Sequence, residues 1–422
     1  MTLLDHLLRL ERPIGVSVIG VGSIGKGLAN QCRLTPGFAL RAIADINLDK
    51  AIECATFLGV PFAVCDSPAA ARTAIARGEL VVAQDGALVA AIEGLDVMIE
   101  ATSAVYGGAV HARTAIAHGQ HVVMMNFEAE LMYGTVLMRE AAAAGLVYTC
   151  ADGDQPTAIK QIVDDIRLWG FEPVMLGNMK GFHDQYTNPT KIAPEADKRA
   201  LDHKMCSSYT DGSKLCVEMA SIANGLDGRV LRPGMTGPRM ASIHDIFGHF
   251  DFGAIWSPGD RPYVDYVLGA KPSGGVFVIG HTSDPFQQFT LDWFPPDMGP
   301  GPFYLFYRPY HLGAIEALRG VAEAFLFKSA RLAPVHGMKT NVFCYAKQDL
   351  APGEPIDGMG GYMTYGLIEN LDDDAEPGLP QLISDGVRVK RAFRKDERIP
   401  LKDCEGDLEA PEFALYRQAC GA

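Results

Sequence analysis

A chain of 422 residues is too long for a single hydrophobic core, so two or three domains are expected. Its 48% hydrophobic and 21% charged residues are ordinary globular values and exclude a largely disordered chain. A formal net charge of −14 excludes non-specific binding to nucleic acid or to an anionic membrane surface, leaving a small molecule as the expected partner.

Leu3, Leu4, Leu7 and Leu8 recur at helical spacing with charges between them, which suits a short amphipathic helix better than a signal peptide. From residue 16 to residue 150, short apolar runs alternate with helical patterns. The runs at 16–19, 40–44, 97–99, 122–125 and 146–149 read as strands apolar on both faces, the pattern of a parallel sheet covered by helices. A helix is expected over 156–170, where Asp154 can cap it, Pro156 suits its first turn and Gly170 can stop it. Pro and Gly are spread through 177–309, so this stretch reads as mostly loop, with one strong helix over 213–224. A further helix is expected over 312–331, and after Asn341 short strands alternate with turns. The acidic run 371–377 reads as a solvated loop. Charges interrupt the apolar stretches before any reaches membrane-spanning length, and the nine cysteines include no CxxC pair. Buried, reduced thiols in a cytoplasmic protein are the expectation.

Directly after the first strand stands Gly20-Val-Gly22-Ser23-Ile24-Gly25. In a strand–turn–helix context, Gly20 permits the tight turn and Gly22 lets the backbone approach a pyrophosphate. Gly25 lets the helix pack closely on the strand. Asp45 ends the second strand, at the spacing where a carboxylate accepts ribose hydroxyls and repels a 2′-phosphate. NAD(H) is therefore favoured over NADP(H), with Arg41 and Lys50 near enough in sequence to serve a 2′-phosphate instead. Thr102 and Ser103, after the strand ending at Glu100, and Asn126, after the next, would line the nicotinamide side.

Ligands bind beyond the carboxyl ends of such strands, where residues 100–103, 126–130 and 152–156 fall. Glu128 and Asp154 could act as acid/base groups or hold a Mg²⁺ or Mn²⁺ ion. Asp154 as a plain helix cap and Glu130 as a solvated side chain are the alternatives. A second constellation opens the 213–224 helix: Asp211 as its cap, and Lys214 with Glu218 one turn on, amid Leu215, Cys216, Val217, Met219 and Ala220. A helix apolar nearly all round is buried, and a buried Lys is paired or functional. Lys214 is thus the candidate proton donor or polarising cation, with Asp211 orienting it. Lys180, His183, Arg308 and His311 could hold a phosphate or carboxylate of the substrate. His244 and His249 lack zinc spacing.

These segments carry a resemblance. Gly20–Gly25, Glu100-Ala-Thr-Ser103 and the Asp211…Lys214 helix resemble the homoserine dehydrogenase superfamily. Asn126-Phe-Glu-Ala129, Gly153-Asp-Gln-Pro156, Tyr307-Arg-Pro-Tyr-His311 and Gly360-Gly-Tyr-Met-Thr-Tyr-Gly366 resemble more closely its members with a C-terminal SAF module. That group includes the enzymes similar to 1-deoxy-D-xylulose 5-phosphate reductoisomerase. Phe127 after Asn126 and the Asp211–Lys214 spacing set the chain apart from the homoserine dehydrogenases proper. The fold class expected is α/β, in three parts: a Rossmann parallel sheet (12–152), an α+β substrate and oligomerisation domain (153–338), and a small β-rich SAF-like module (339–422). The resemblance implies a homo-oligomeric NAD(P)-dependent dehydrogenase or reductoisomerase for a small polyhydroxylated, phosphorylated or unphosphorylated carbonyl compound. A simple hydroxy-acid or semialdehyde dehydrogenase and a non-catalytic dinucleotide sensor are the rival readings.

Overall fold

The computed structural model describes residues 1–198, 201–293, 298–371 and 376–421. Two compact units divide the chain: Met1–Thr157 with Leu312–Ala333, and Ala158–His311 with Pro334–Ala422. Residues 372–375 of the predicted acidic loop lie outside the described residues.

The first unit is built on seven strands: β1 (Ile14–Ile19), β2 (Phe38–Ala44), β3 (Phe62–Val64), β4 (Leu80–Ala83), β5 (Val97–Glu100), β6 (His121–Met124) and β7 (Tyr148–Cys150). They form one parallel sheet in the order β3-β4-β2-β1-β5-β6-β7. Every residue of β1 is buried, as a strand covered on both faces requires. The expected Rossmann architecture is therefore present. From β1 the chain winds outward to one side and from β5 to the other, so the topological switch point lies between β1 and β5. Ala44, Ile19, Glu100, Met124 and Cys150 stand in one cross-strand row. The residues that follow each of them therefore emerge along a single edge of the sheet.

The helix expected over 312–331 is two short helices, Gly313–Glu316 and Leu318–Phe327. Leu318, Val321 and Ala322 join the apolar cluster that holds Val16, Val18 and Ile99, which places this segment with the first unit although 153–338 reads in sequence as one domain. The N-terminal helix spans Leu3–Leu8, but of its four leucines only Leu7 is buried, while Leu4 and Leu8 are exposed.

The second unit corrects the expectation of a loop-rich middle. It contains a mixed sheet of β8 (Glu172–Lys180), β9 (Tyr263–Leu268), β10 (Val276–His281) and β11 (Phe303–Arg308), in the order β11-β10-β8-β9. Of its strands, β8, β9 and β10 are buried on both faces and so show no alternation, and glycines inside them mimic breakers. Gly177 is one: a Cβ there would stand 2.0 Å from Cζ of Phe277, so the glycine makes room for an aromatic ring on the neighbouring strand. One face of the sheet (Met175, Met179, Val267, Phe277, Ile279) packs in an apolar cluster with Ile243, Ile246 and Trp256. Two further strands, β12 (Thr340–Ala346) and β13 (Thr364–Asn370), pair antiparallel and pack on the Ser213–Leu226 helix, every residue of which is buried. Residues 334–422 thus cluster with 158–311 in one compact unit. Among the described residues no helix is long and apolar enough to cross a membrane, and all nine cysteines are free thiols.

Candidate functional site

At the carboxyl edge of the first unit, Gly20 leaves β1 with φ +89°, and a Cβ on it would meet Ala101 and the Thr102 amide at 2.7 Å. Only glycine passes this close to the β5 turn. The Ser23–Leu34 helix follows with Gly22 as its cap residue and no side-chain cap bond; Gly22, Ser23 and Ile24 are exposed. A Cβ on Gly22 would meet nothing within 4 Å, so open space faces the helix start. A Cβ on Gly25 would fall 1.8 Å from the Gly20 carbonyl oxygen, so the first helical turn rests directly on the loop. Uncapped amides, a close turn and open space fit a pyrophosphate.

The half-buried Asp45 accepts from the Val21 amide (3.0 Å) and the Asn47 amide (2.9 Å), which fixes its carboxylate beside the glycine turn. Arg41 does not accompany it. Four residues before Asp45, its side chain packs near Gly15, because the rise of an extended strand carries the two apart along its length. Across the switch point, the fully buried Glu100 accepts from the Thr102 amide (2.9 Å) and hydroxyl, and its other oxygen lies 2.8 Å from His111 Nδ1. Asn126 caps the Phe127–Ala143 helix through Ala129 N (2.9 Å) and donates to the Ala104 carbonyl (2.9 Å), tying the turns after β5 and β6 together. Ser103 is exposed beside them.

Glu128 is buried in the first turn of that helix. Glu130, expected in solvent, is buried too: its carboxylate accepts from the Tyr148 hydroxyl, and burial pushes its pKa up to about 7. The solvated reading failed there because the Phe127–Ala143 helix is enclosed over its first three turns, polar residues included. Asp154 is half-buried and accepts from the next amide, Gln155 N (2.8 Å), while Asp152 at full burial pairs with Arg331 (3.3 Å). Among the described residues no group of three or more His, Cys, Asp and Glu side chains is gathered for a metal.

The second unit gathers the other candidates. β8 presents Asn178 and Lys180 on one face, and Tyr266, Asn178, Val276 and Arg308 form a cross-strand row. β8, β9 and β11 run in the same direction, so Lys180, Leu268 and Arg308 all end at one edge of the sheet. Arg308 donates to Gln161 (3.1 Å) and lies over the Tyr310 ring, and His311 Nδ1 lies 2.9 Å from the Gly274 carbonyl at the same edge. Lys214 and Glu218 lie one turn apart on the Ser213–Leu226 helix, both buried. Burial lowers the pKa of Lys180 from the ordinary lysine value, with Glu218 and then Asp211 pulling it back up. His183 Nε2 lies 3.1 Å from the Asp211 carbonyl and Nδ1 lies 3.3 Å from the Tyr266 hydroxyl. A carbonyl only accepts, so Nε2 carries a proton.

The Asp211 carboxylate has partners of its own. Oδ1 accepts from Ser213 N (2.9 Å), making the turn into the helix, and Oδ2 accepts from Lys347 (2.9 Å). Burial raises its pKa, against which Lys347 and the Ser213 amide work. Lys347 went unnoticed in the sequence, as did Tyr266 and the buried Asp265, which accepts from the Thr236, Gly237 and Tyr266 amides. The available signal was a charged residue closing the apolar run Val342–Ala346, which a strand end and a buried cation share.

Residues 153–317 match the family model described as the catalytic domain of the oxidoreductase DRL, less than half of the chain. The match bears out the expectation of an oxidoreductase enzyme. The comparisons do not confirm the homoserine dehydrogenase or the SAF part of the resemblance. A comparison with curated protein sequences gives no match. Among solved structures, a probable dehydrogenase from Thermotoga maritima is 12% identical, with 75% of this chain and 90% of that one covered and a TM-score of 0.41. An oxidoreductase from Agrobacterium radiobacter, in complex with NAD⁺, L-tartaric acid and magnesium, is 16% identical over 40% of this chain and 45% of that one, at a TM-score of 0.31. A DOX-P reductoisomerase with fosmidomycin and magnesium is 17% identical over 49% and 56%, at 0.35. This chain therefore spans about half the length of the latter two, and likeness of this degree carries no inference about its substrate.

Proposed function

We propose that the chain is a nicotinamide-dinucleotide-linked oxidoreductase acting on the carbonyl or carbinol group of a small polyhydroxylated compound that bears a phosphate or carboxylate. NAD(H) is the preferred cofactor in this reading, and the reductoisomerase-like enzymes are a chemical precedent for it. The observation that carries it is the buried set on and around the Ser213–Leu226 helix, within the segment that matches an oxidoreductase catalytic domain. Burying lysines and carboxylates together is costly for a fold and useful for moving a proton.

The bound dinucleotide would supply the hydride in reduction and take it up in oxidation. The amides of Ser23, Ile24 and Gly25 hold its pyrophosphate and Asp45 its ribose hydroxyls, while Thr102, Ser103 and Asn126 shape the end of the site nearest the switch point. Lys214 donates a proton to the substrate oxygen as the carbonyl carbon is reduced, and takes it back in the reverse direction. Lys180, kept poor in proton affinity by burial, polarises the same oxygen or holds its neighbour. Arg308 and His311, at the same sheet edge as Lys180, bind the anionic group. Glu128 and Asp154 accept from substrate hydroxyls.

The test is oxidation of NADH and NADPH by a panel of sugar phosphates and hydroxy acids that includes 1-deoxy-D-xylulose 5-phosphate, with wild type and Lys214→Met. Turnover by wild type, lost by about a thousandfold or more in Lys214→Met with NADH affinity kept, is expected. Undiminished turnover in the variant removes Lys214 from the chemistry.

A further inference from the structure

Resting on that reading of the Lys214 site, we propose that Lys347, from the C-terminal segment, is a positioning residue: it holds the Asp211 carboxylate and with it the start of the helix that carries Lys214. Its ammonium donates to three acceptors, Thr187 O (2.7 Å), Asp211 Oδ2 (2.9 Å) and Gly361 O (2.8 Å). An ammonium has three protons, and all are committed. Both side chains of the pair are enclosed, 4% exposed for Lys347 and 0% for Asp211. An exposed pair of this kind would do little; here neither charge has solvent to fall back on.

The pair sits where geometry matters most for Lys214. Asp211 ends the His203–Asp211 helix, Gly212 turns the chain at φ +89°, and the Ser213–Leu226 helix begins, with Lys214 its second residue. Asp211 Oδ1 fixes this turn through the Ser213 amide (2.9 Å), and the Asp211 carbonyl holds His183 (3.1 Å). One residue, its carboxylate held by one ammonium, thus fixes the helix start through its side chain and meets the histidine through its main-chain carbonyl.

The same C-terminal segment grips the helix along its length. Gly366 N donates to Ser213 Oγ (2.8 Å) at the start. At the far end, Asn224 Oδ1 accepts from Lys339 N (2.8 Å) and Thr340 N (2.9 Å). Gly360 lies so close to the preceding helix that a Cβ on it would stand 2.0 Å from the Lys204 carbonyl oxygen. Residues 339–366 are therefore a clamp on the catalytic helix, and Lys347 is the point where the clamp carries charge. The C-terminal strands serve the site itself.

The experiment compares wild type, Lys347→Met and the double variant Lys347→Met/Asp211→Asn. The double variant removes the carboxylate that the single one leaves uncompensated. Amide hydrogen exchange is read at residues 205–218, at β8–β11 and at β1–β7, together with NADH affinity and steady-state turnover of whichever panel compound wild type accepts. Lys347→Met is expected to speed exchange at 205–218 by about tenfold or more, with β1–β7 and NADH affinity unchanged. It should lower kcat by about a hundredfold with a smaller change in KM, the mark of a misplaced group. The double variant should recover the exchange protection at 205–218. If Lys347→Met fails to fold while the double variant folds, the pair is confirmed by that rescue. Unchanged exchange at 205–218, slackening spread evenly over the second unit, or a double variant no better than the single one would overturn the proposal. A chain that turns over no panel compound would count against the proposed function, while the exchange comparison still decides the role of Lys347.

Discussion

Glu130→Gln is expected to make the stability of the first unit less sensitive to a rise in pH from about 4.5 to about 7. The Glu130 carboxyl is fully enclosed, accepts from the Tyr148 hydroxyl, and has its pKa pushed by burial from 4.5 up to about 7. The unfolded chain ionises it at its ordinary value. A carboxyl whose pKa is higher in the folded state contributes fully below about 4.5, and that contribution is lost as pH rises to about 7. At ~1.4 kcal/mol for each pH unit between the two values, the loss amounts to roughly 3 kcal/mol. Gln keeps an acceptor for Tyr148 and has no charge to bury. Urea unfolding of wild type and variant at several pH values between 4.5 and 8 measures the difference directly. The stability of Glu130→Gln relative to wild type should improve by roughly 3 kcal/mol across that range. Parallel pH profiles would refute the reasoning, because they would mean that Glu130 ionises in the native chain as it does in the unfolded one.

Two further substitutions probe the dinucleotide edge. Gly25→Ala places a methyl group 1.8 Å from a backbone oxygen that has no side-chain freedom to yield, so it should cost about 3 kcal/mol or more in thermal or urea unfolding. Asp45→Ala should weaken NADH binding by about tenfold through loss of a charged acceptor while leaving NADPH binding unchanged or tighter; equal weakening of both would remove Asp45 from ribose recognition.

The first unit was legible in the sequence because its rules are local. A strand apolar on both faces, a Gly-x-Gly turn and a carboxylate at the end of the next strand declare themselves within 30 residues. The structure places Gly20, Asp45, Thr102 and Asn126 along one edge, as that pattern implies. The second unit was less legible. Gly177 and Gly280 read as breakers but stand inside strands, where they leave room for Phe277 and for Phe306, on neighbouring strands that lie far along the chain. Lys214 and Glu218 could be seen as polar residues on an apolar helix, since burial all round follows from composition alone. Lys347 could not, because its partners Thr187, Asp211 and Gly361 are long-range and only the fold brings them to one ammonium. Glu130 was misread for a related reason: a lone carboxylate reads as solvated, and only the fold shows that the rest of the unit encloses the helix start.

The claim on which the proposed chemistry stands is that the open, uncapped helix start after Gly20 receives a dinucleotide pyrophosphate. Calorimetric titration of NADH and NADPH into the purified chain tests it most directly. Saturable binding with a Kd well below about 1 mM, tighter for NADH, is the predicted result. Absence of heat and of saturation for both nucleotides at millimolar concentration would contradict it.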